Sequence, residues 1–376
     1  MAEDVKRVLM MTEELAFRGA SVLALRLAKG LLERNIEVVL LCTRRKITDT
    51  ELTKCLPIHE LPGYSLPLWN RIVSRTVVNQ LQGSSPSVIH CIGPRMLQQA
   101  AWLKGHLGCP IVVSVTDQLE AAQLAAASRI EHVSAIVGVS ESVKMALPKS
   151  LDHLEQRVIF PGVPFDLSEN PSAILNEDRV PVVGMVGPLE VMKGGSFFLR
   201  SCHRVIEAGQ PIRIVITGSG PEERNLRRLS TSLNLDDHVT FVDDGAAMST
   251  YLSAIDIFCL PSLQQGFGIF LLEAMALGRA VIASGVGGVL RILKDGESGM
   301  VVPPSDSRSL AEKMLLLLQD PKMARKMAIA GKNLVEDNFT LDRMTSNMLT
   351  LYDDVLDHRG EQVSTIPLAL TESTTA

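Results

Sequence analysis

The chain has 376 residues, beyond the size at which a single hydrophobic core usually stops growing, so two domains of ordinary size are expected. A formal net charge of -5 argues against a general nucleic-acid binder, and 46% hydrophobic with only 4% aromatic residues points to cores of Val, Ile, Leu, Ala and Met, as in buried parallel sheets covered by helices. Residues 1–165 hold 18 Lys and Arg against 15 Asp and Glu, a small excess that suits solvated surface and leaves an anionic acceptor or a lipid surface open.

Val5 to Met11 reads as a strand, Thr12 to Arg18 as a loop, and Gly19 opens a helix in which Leu23, Leu27, Leu31 and Leu32 recur at helical spacing. Ile36 to Thr43 is a second strand. The turn after the first strand carries no GxGxxG, which makes a nicotinamide oxidoreductase unlikely, because that fold needs a second glycine for close approach to the pyrophosphate. Strand and helix then alternate through SVIHCIG, PRMLQQAAWLKGHL, PIVVSVTD, an Ala-rich helix from Gln118 to Ala127, SAIVGVS, a helix from Glu141 to Leu147, and RVIF. Near-continuous β-branched strands separated by helices are the mark of a doubly wound parallel sheet. Pro161 to Pro181, rich in Pro, Asn and Asp, is placed as the linker.

The second half repeats the rhythm with VPVVGMVG, RIVITGSG, VTFVDD, IDIFCLPS, AVIAS and GMVVPP, each followed by a helix or a glycine turn. Helices are expected from Ser307 to Leu318, Pro321 to Asn338 and Thr340 to Leu356, and disorder from Gly360 on. The six cysteines lie far apart and mostly inside apolar runs, so they read as buried thiols without zinc-ligand spacing. The N-terminal apolar run is too short for a signal peptide, and no apolar stretch is long enough to span a membrane. A cytoplasmic location is therefore expected.

Ligands of a doubly wound sheet bind beyond the carboxyl ends of the strands, so the chemistry is sought in the turns there. Lys193 and Gly194 follow one strand at a helix start, Gly218 and Ser219 follow the next, Gly266 and Gly268 bracket Phe267 before a third helix, and SGVGG ends at Gly288. Four glycine turns on one sheet edge form a cradle for a diphosphate, where bare N–H groups and helix dipoles favour anions. Glu273 stands on an otherwise apolar helix, FLLEAM, and its carboxylate is costly to bury unless something hydrogen-bonds it. A pair of ribose hydroxyls would do so. The base pocket is placed near Asp243 and Asp244.

With these residues the chain resembles glycosyltransferase family 4, retaining nucleotide-sugar transferases of the two-domain GT-B fold, most densely from Val182 to Tyr352 and more loosely from Val5 to Val163. The family's pair of glutamates spaced by seven residues becomes Gln265 and Glu273. The resemblance implies that Glu273 takes the ribose hydroxyls, that Gln265 and the backbone of Gly266, Phe267 and Gly268 face the donor sugar and phosphates, and that Lys193 neutralises the leaving diphosphate. Gly19 matches the first glycine of the family's N-terminal pair, with Ala20 in place of the second, and LTLYDDVL resembles the helix that crosses back onto the first domain. The sequence also departs from the family: Pro188 replaces an arginine, Thr116 followed by Asp117 replaces a histidine, and Arg291 replaces a glutamate. Arg291 is a candidate to supply the missing charge, and Asp117 a candidate polar group near the anomeric centre.

These observations give an α/β protein with an acceptor domain at 1–165, a nucleotide-sugar donor domain at 166–340, a returning helix at 341–358 and a disordered tail at 359–376. The expected reaction is retaining transfer, independent of metal and cofactor, with Lys193, Gln265 and Asp117 at the reacting centre. Gly19, Lys193, Gly218, Gln265, Gly266, Phe267, Gly268, Glu273 and Arg291 are the expected donor ligands. The partners expected are a nucleotide-sugar donor and a saccharide, lipid-linked or small-molecule acceptor; peripheral contact with the inner face of a membrane stays open. The alternative is a catalytically inert nucleotide- or sugar-binding module of the same fold, which the changes at 116, 188, 265 and 291 would suit. His90 is placed with Gly19, Thr116 and Asp117 at strand ends facing the acceptor, though burial as a structural residue is its commoner fate.

Overall fold

A computed structural model describes residues 5–16, 18–46, 53, 56–61, 75, 77–78, 85–164, 174–243 and 248–364. The N-terminal unit is a seven-stranded parallel sheet of β1 (Arg7–Leu15), β2 (Glu37–Arg45), β3 (Ile58–Glu60), β4 (Val88–Ile92), β5 (Ile111–Val115), β6 (Val133–Gly138) and β7 (Glu155–Val158). Its spatial order is β3-β2-β1-β4-β5-β6-β7. The C-terminal unit is a six-stranded parallel sheet of β8 (Val182–Val186), β9 (Arg213–Thr217), β10 (Val239–Val242), β11 (Ile257–Leu260), β12 (Ala280–Ser284) and β13 (Met300–Val302), ordered β10-β9-β8-β11-β12-β13. Both orders reverse direction at the first strand of the unit, which opens a crevice at the carboxyl edge of each sheet. The apolar runs of β4, β5, β11 and β12 are buried at every position, as strands covered on both faces must be.

The elements depart from the sequence reading in a few places, each with a local cause. β1 does not end at Met11 but runs to Leu15, because Glu14 and Leu15 continue the ladder opposite Arg44 and Arg45 of a correspondingly longer β2. β3 was not anticipated, since three residues including a His and a Glu carry no strand periodicity. The Ala-rich helix is regular only over Gln118–Gln123 and tightens to a 3-10 turn at Leu124–Ala126. Part of the linker is tied down by Asp256, whose fully buried carboxylate accepts from the N–H of Leu175 (2.9 Å), the N–H of Val182 (2.8 Å) and both terminal nitrogens of Arg179. Residues 165–173 of the linker lie outside the described residues, as does Cys55; the other five cysteines are buried and form no disulfide.

The last helix, Leu341–Ser364, continues past the expected end at 358 into the segment read as a disordered tail. Gly360 costs a helix only about 1 kcal/mol, and the first proline beyond it is Pro367; residues 365–376 are outside the described set. This helix crosses back onto the N-terminal unit, as the resemblance implies. Arg34 donates to the Asp342 carbonyl (3.0 Å) and to Ser346 Oγ (2.6 Å), and Arg157 pairs with Asp354 at 2.5 Å. Gly30 lets Thr345 approach the Gly19–Leu32 helix more closely than any Cβ would permit. No described helix is long and apolar enough to cross a membrane.

His90 corrects one expectation. It is the middle residue of β4, wholly buried, with Nδ1 2.6 Å from Tyr352 Oη of the returning helix and Nε2 2.7 Å from Ser114 Oγ of β5. It therefore does not face an acceptor. Burial lowers its pKa to about 3, against an ordinary 6.5. The unfolded chain then binds a proton that the folded chain refuses, so the stability contributed by neutral His90 is complete above about pH 6.5 and is lost as the pH falls toward 3. Denaturant titrations at pH 7 and pH 5 should show the wild type losing about 2 kcal/mol more than His90→Asn over that interval. Equal pH slopes would contradict the assignment.

Candidate functional site

The carboxyl edges of the two sheets face each other across a cavity of about 300 Å³, at the small end of ligand pockets. The N-terminal unit lines it with Arg18, Gly19, Ala20, Thr116, Asp117 and Glu120; the C-terminal unit with Gly187, Pro188, Glu190, Lys193 and the run from Gln265 to Phe270.

Lys193 follows β8 on a 3-10 turn, Val191–Lys193, and Gly194 can leave that turn only with a left-handed φ of 71°. The same turn is fastened to the 261–265 loop, where the Leu263 N–H donates to the Met192 carbonyl at 2.9 Å. Lys193 Nζ is thereby brought 3.0 Å from Gln265 Oε1, which also accepts from Ser262 Oγ at 3.2 Å. Burial lowers the pKa of Lys193, Glu190 and Asp117 oppose that shift, and Arg18 adds to it. Gly268, at φ 104°, starts the Ile269–Ala276 helix with no side-chain cap, and Gly268, Ile269 and Phe270 line the cavity, so the start of this helix faces it.

The four glycine turns form two layers rather than one cradle. Gly187 and the Gly266–Gly268 turn line the cavity. Gly218 does not: a Cβ there would sit 1.9 Å from the Gly187 carbonyl, so this turn buttresses the one in front of it. Gly287 likewise packs behind Gln265, where a Cβ would fall on the Gln265 carbonyl. Gly266 is also a contact between units, since a Cβ would lie 1.8 Å from the Thr116 carbonyl while its own carbonyl accepts from Ser140 Oγ (3.1 Å) and Gly288 N–H (3.0 Å). The Phe267 ring stacks on Phe160, centroids 5.4 Å apart, and meets Phe339 edge-on, leaving its backbone for the cavity.

Besides Gly218, two more expected ligands lie elsewhere. Arg291 is exposed on the short Val289–Ile292 helix and does not line the cavity, because the Gly287–Gly288 turn before it is held back against Gln265 and Gly266. Glu273 sits one turn down its helix, behind the cavity wall, and the group that compensates its burial is Arg26 of the Gly19–Leu32 helix. The Arg26 side chain is 2% exposed and that of Glu273 12%; Arg26 Nη1 also donates to the Gly162 carbonyl at 3.2 Å. Burial brings the Arg26 pKa down to about 9. Among the described residues, Glu273 Oε2 has no hydrogen-bond partner.

Asp117 lines the cavity, but Oδ1 is engaged as the cap of the Gln118–Gln123 helix, accepting from the Glu120 N–H at 2.8 Å. Glu120 is a cavity residue the sequence reading missed. Its Oε2 accepts from both the N–H and Oγ1 of Thr116, each at 3.0 Å, and burial raises its pKa. The signal for it was the Asp-x-x-Glu spacing of a capping box, which turns the Glu side chain back toward the helix start. Near the expected base pocket, the Asp243 carbonyl accepts from Tyr251 Oη at 2.7 Å, and Asp244 is outside the described residues.

Comparisons with known proteins bear on this arrangement. The family described as "Glycosyltransferase Family 4" matches residues 17–167, and "Glycosyl transferases group 1" matches residues 168–334. The chain belongs to glycosyltransferase family 4. A phosphatidyl-myo-inositol mannosyltransferase of Mycobacterium leprae is 32% identical over 44% of this chain and 44% of its own length. A D-inositol 3-phosphate glycosyltransferase of Salinispora arenicola is 24% identical over 92% of this chain and 89% of its own. Several of the curated relatives are matched over about half of their length or less. The crystal structure of Anabaena Alr3699/HepE in complex with UDP-glucose covers 96% of this chain and 100% of that one, with a TM-score of 0.76 at 18% identity. The fold of this family member is GT-B, two parallel-sheet α/β domains facing a cleft.

The contact at Gly266 can be tested by adding a methyl group. Gly266→Ala must push Thr116 backbone away and should cost about 2 kcal/mol or more in urea denaturation. Gly105→Ala, in open space on the Leu97–Leu107 helix, should stabilise by about 0.5 to 1 kcal/mol. Midpoints moving alike for the two variants would contradict the close approach.

Proposed function

We propose that this family member transfers a sugar from a nucleoside-diphosphate sugar to a hydroxyl-bearing acceptor, with retention of configuration. The observation that carries the reading is the meeting of Lys193 and Gln265 beside the uncapped helix start at Gly268, in a cavity walled by both units. The diphosphate lies along the Gly187 turn, Lys193 and the N–H groups after Gly268, so its charge is met by a cation and backbone dipoles of the chain itself. Lys193 exchanges its bond to Gln265 for the leaving phosphate, which frees the Gln265 amide to hold hydroxyls of the donor sugar.

In the transfer step the bond from the anomeric carbon to the diphosphate oxygen breaks, a bond to the acceptor oxygen forms, and the acceptor's proton passes to the departing diphosphate. Negative charge grows on that oxygen in the transition state, where a fixed cation contributes more than in the ground state. The acceptor enters along Thr116 and the carboxylates of Asp117 and Glu120, which suit hydroxyl donors. Glu273 can contribute its second oxygen to the ribose only if the Arg26 pair and the cavity wall yield around it, and closure of the cleft on the donor is the step that would do this.

A thermal-shift panel of nucleoside diphosphates and their sugars tests the donor reading, followed by assays of donor hydrolysis and of transfer to saccharide and lipid-linked acceptors. At least one diphosphate sugar should stabilise the chain and be turned over, and Lys193→Ala should lower that turnover by about 10² to 10³. No stabilisation by any nucleotide would overturn the reading. Binding without hydrolysis or transfer to any acceptor would instead favour the inert module.

A further inference from the structure

The reading above leaves a deficit of charge. The cavity is lined by five carboxylates, Glu13, Glu14, Asp117, Glu120 and Glu190, and by three cations, Arg18, Arg95 and Lys193. Pro188 on the Lys193 loop carries no charge, and Arg291 is exposed and does not line the cavity. One lysine facing this acidic lining would hold a diphosphate poorly.

We propose that Arg18, contributed by the N-terminal unit, is the second cation of the donor diphosphate site and is parked on Glu190 until the donor arrives. This rests on the donor reading. Arg18 Nη2 lies 2.7 Å from Glu190 Oε1, and Glu190 belongs to the same loop as Pro188 and Lys193. The guanidinium thus already spans the cleft to the loop that carries Lys193. Its charge adds to the lowering of the Lys193 pKa that burial begins.

The pair is built to exchange. Its side chains are 55% and 29% exposed, so water screens it and it contributes little by itself. A diphosphate offers the same guanidinium two or more oxygens at higher charge, in the fork geometry that arginine matches. Arg18 is also the N-cap residue of the Gly19–Leu32 helix, whose first turn has no side-chain cap among the described residues. Arg95 is the poorer candidate, because it is bound to Glu13 at 2.6 Å and stands mostly in solvent. Since Arg18 and Lys193 belong to different units, the diphosphate would tie the units together, and donor binding would draw the cleft shut.

The test compares affinities of a nucleoside diphosphate and the monophosphate of the same base by isothermal titration, using uridine and guanosine nucleotides. Arg18→Ala should weaken the diphosphate by about tenfold or more while moving the monophosphate by less than about twofold, the loss expected for one charge-assisted contact. Arg18→Lys should recover part of the loss, Glu190→Gln should tighten the diphosphate, and Arg291→Ala should leave the ratio alone. Thermal melts of the variants check folding, which an exposed side chain should not disturb. An unchanged diphosphate-to-monophosphate ratio in Arg18→Ala, with the wild type binding normally, overturns the Arg18 assignment and leaves the donor reading standing. A wild type that binds neither diphosphate overturns both.

Discussion

The buried ion pair between Arg26 and Glu273 is the constraint on which the arrangement of the two units depends. Arg26 is buried on a helix whose one other charge is Lys29, Glu273 stands on an otherwise apolar helix, and each would be expensive to leave without the other. Removing one partner of such a pair typically costs about 3 to 5 kcal/mol. The pair fixes one helix of the N-terminal unit against the helix that follows the Gln265 loop. A single apolar cluster continues from β1 and β4 across this contact into Leu271, Leu272 and Met275, and the returning helix adds Met348, Leu351 and Tyr352 to it. In this donor-free state the pair and the cluster set the distance between the units, and the cavity is what remains between their carboxyl edges.

The same constraint explains why so many glycines gather there. Gly266 is pressed against Thr116, Gly287 against Gln265, and Gly218 against Gly187, all at separations no Cβ would allow. The turns that line the cavity can approach a ligand closely only because the turns behind them have given up their side chains as well. Glycine in this edge serves packing between backbones as well as lining the cavity. The Arg26 pair occupies one oxygen of Glu273 and leaves Oε2 without a partner among the described residues, and the proposed ribose contact would have to compete with that pair.

Much of this was legible in the sequence. The runs VVGMV, IFCL and AVIAS declare buried parallel strands, the glycine turns declare the functional edge, and Glu273 among leucines declares a buried carboxylate in need of a partner. What could not be read was the partner, because Arg26 lies far away in the chain, although its own place in LALRLAK posed the same question from the other side. Arg18 and Glu120 were missed for a related reason: their roles come from which loops face each other across the cleft, and that follows from the packing of whole units. Arg291 misled for the opposite reason, since adjacency to a glycine turn says nothing about which way the turn faces. β3 and the extension of β1 were invisible because ladder pairing, rather than hydrophobic alternation, makes those residues extended.

The central claim is that a diphosphate donor occupies the cavity between the two sheet edges. A crystal structure of the chain grown with its best-stabilising nucleoside-diphosphate sugar tests this most directly. The account predicts the diphosphate within hydrogen-bond distance of Lys193 Nζ and the N–H groups after Gly268, with the Lys193 to Gln265 bond broken. A nucleotide bound outside this cavity, with Lys193 still on Gln265, would contradict it.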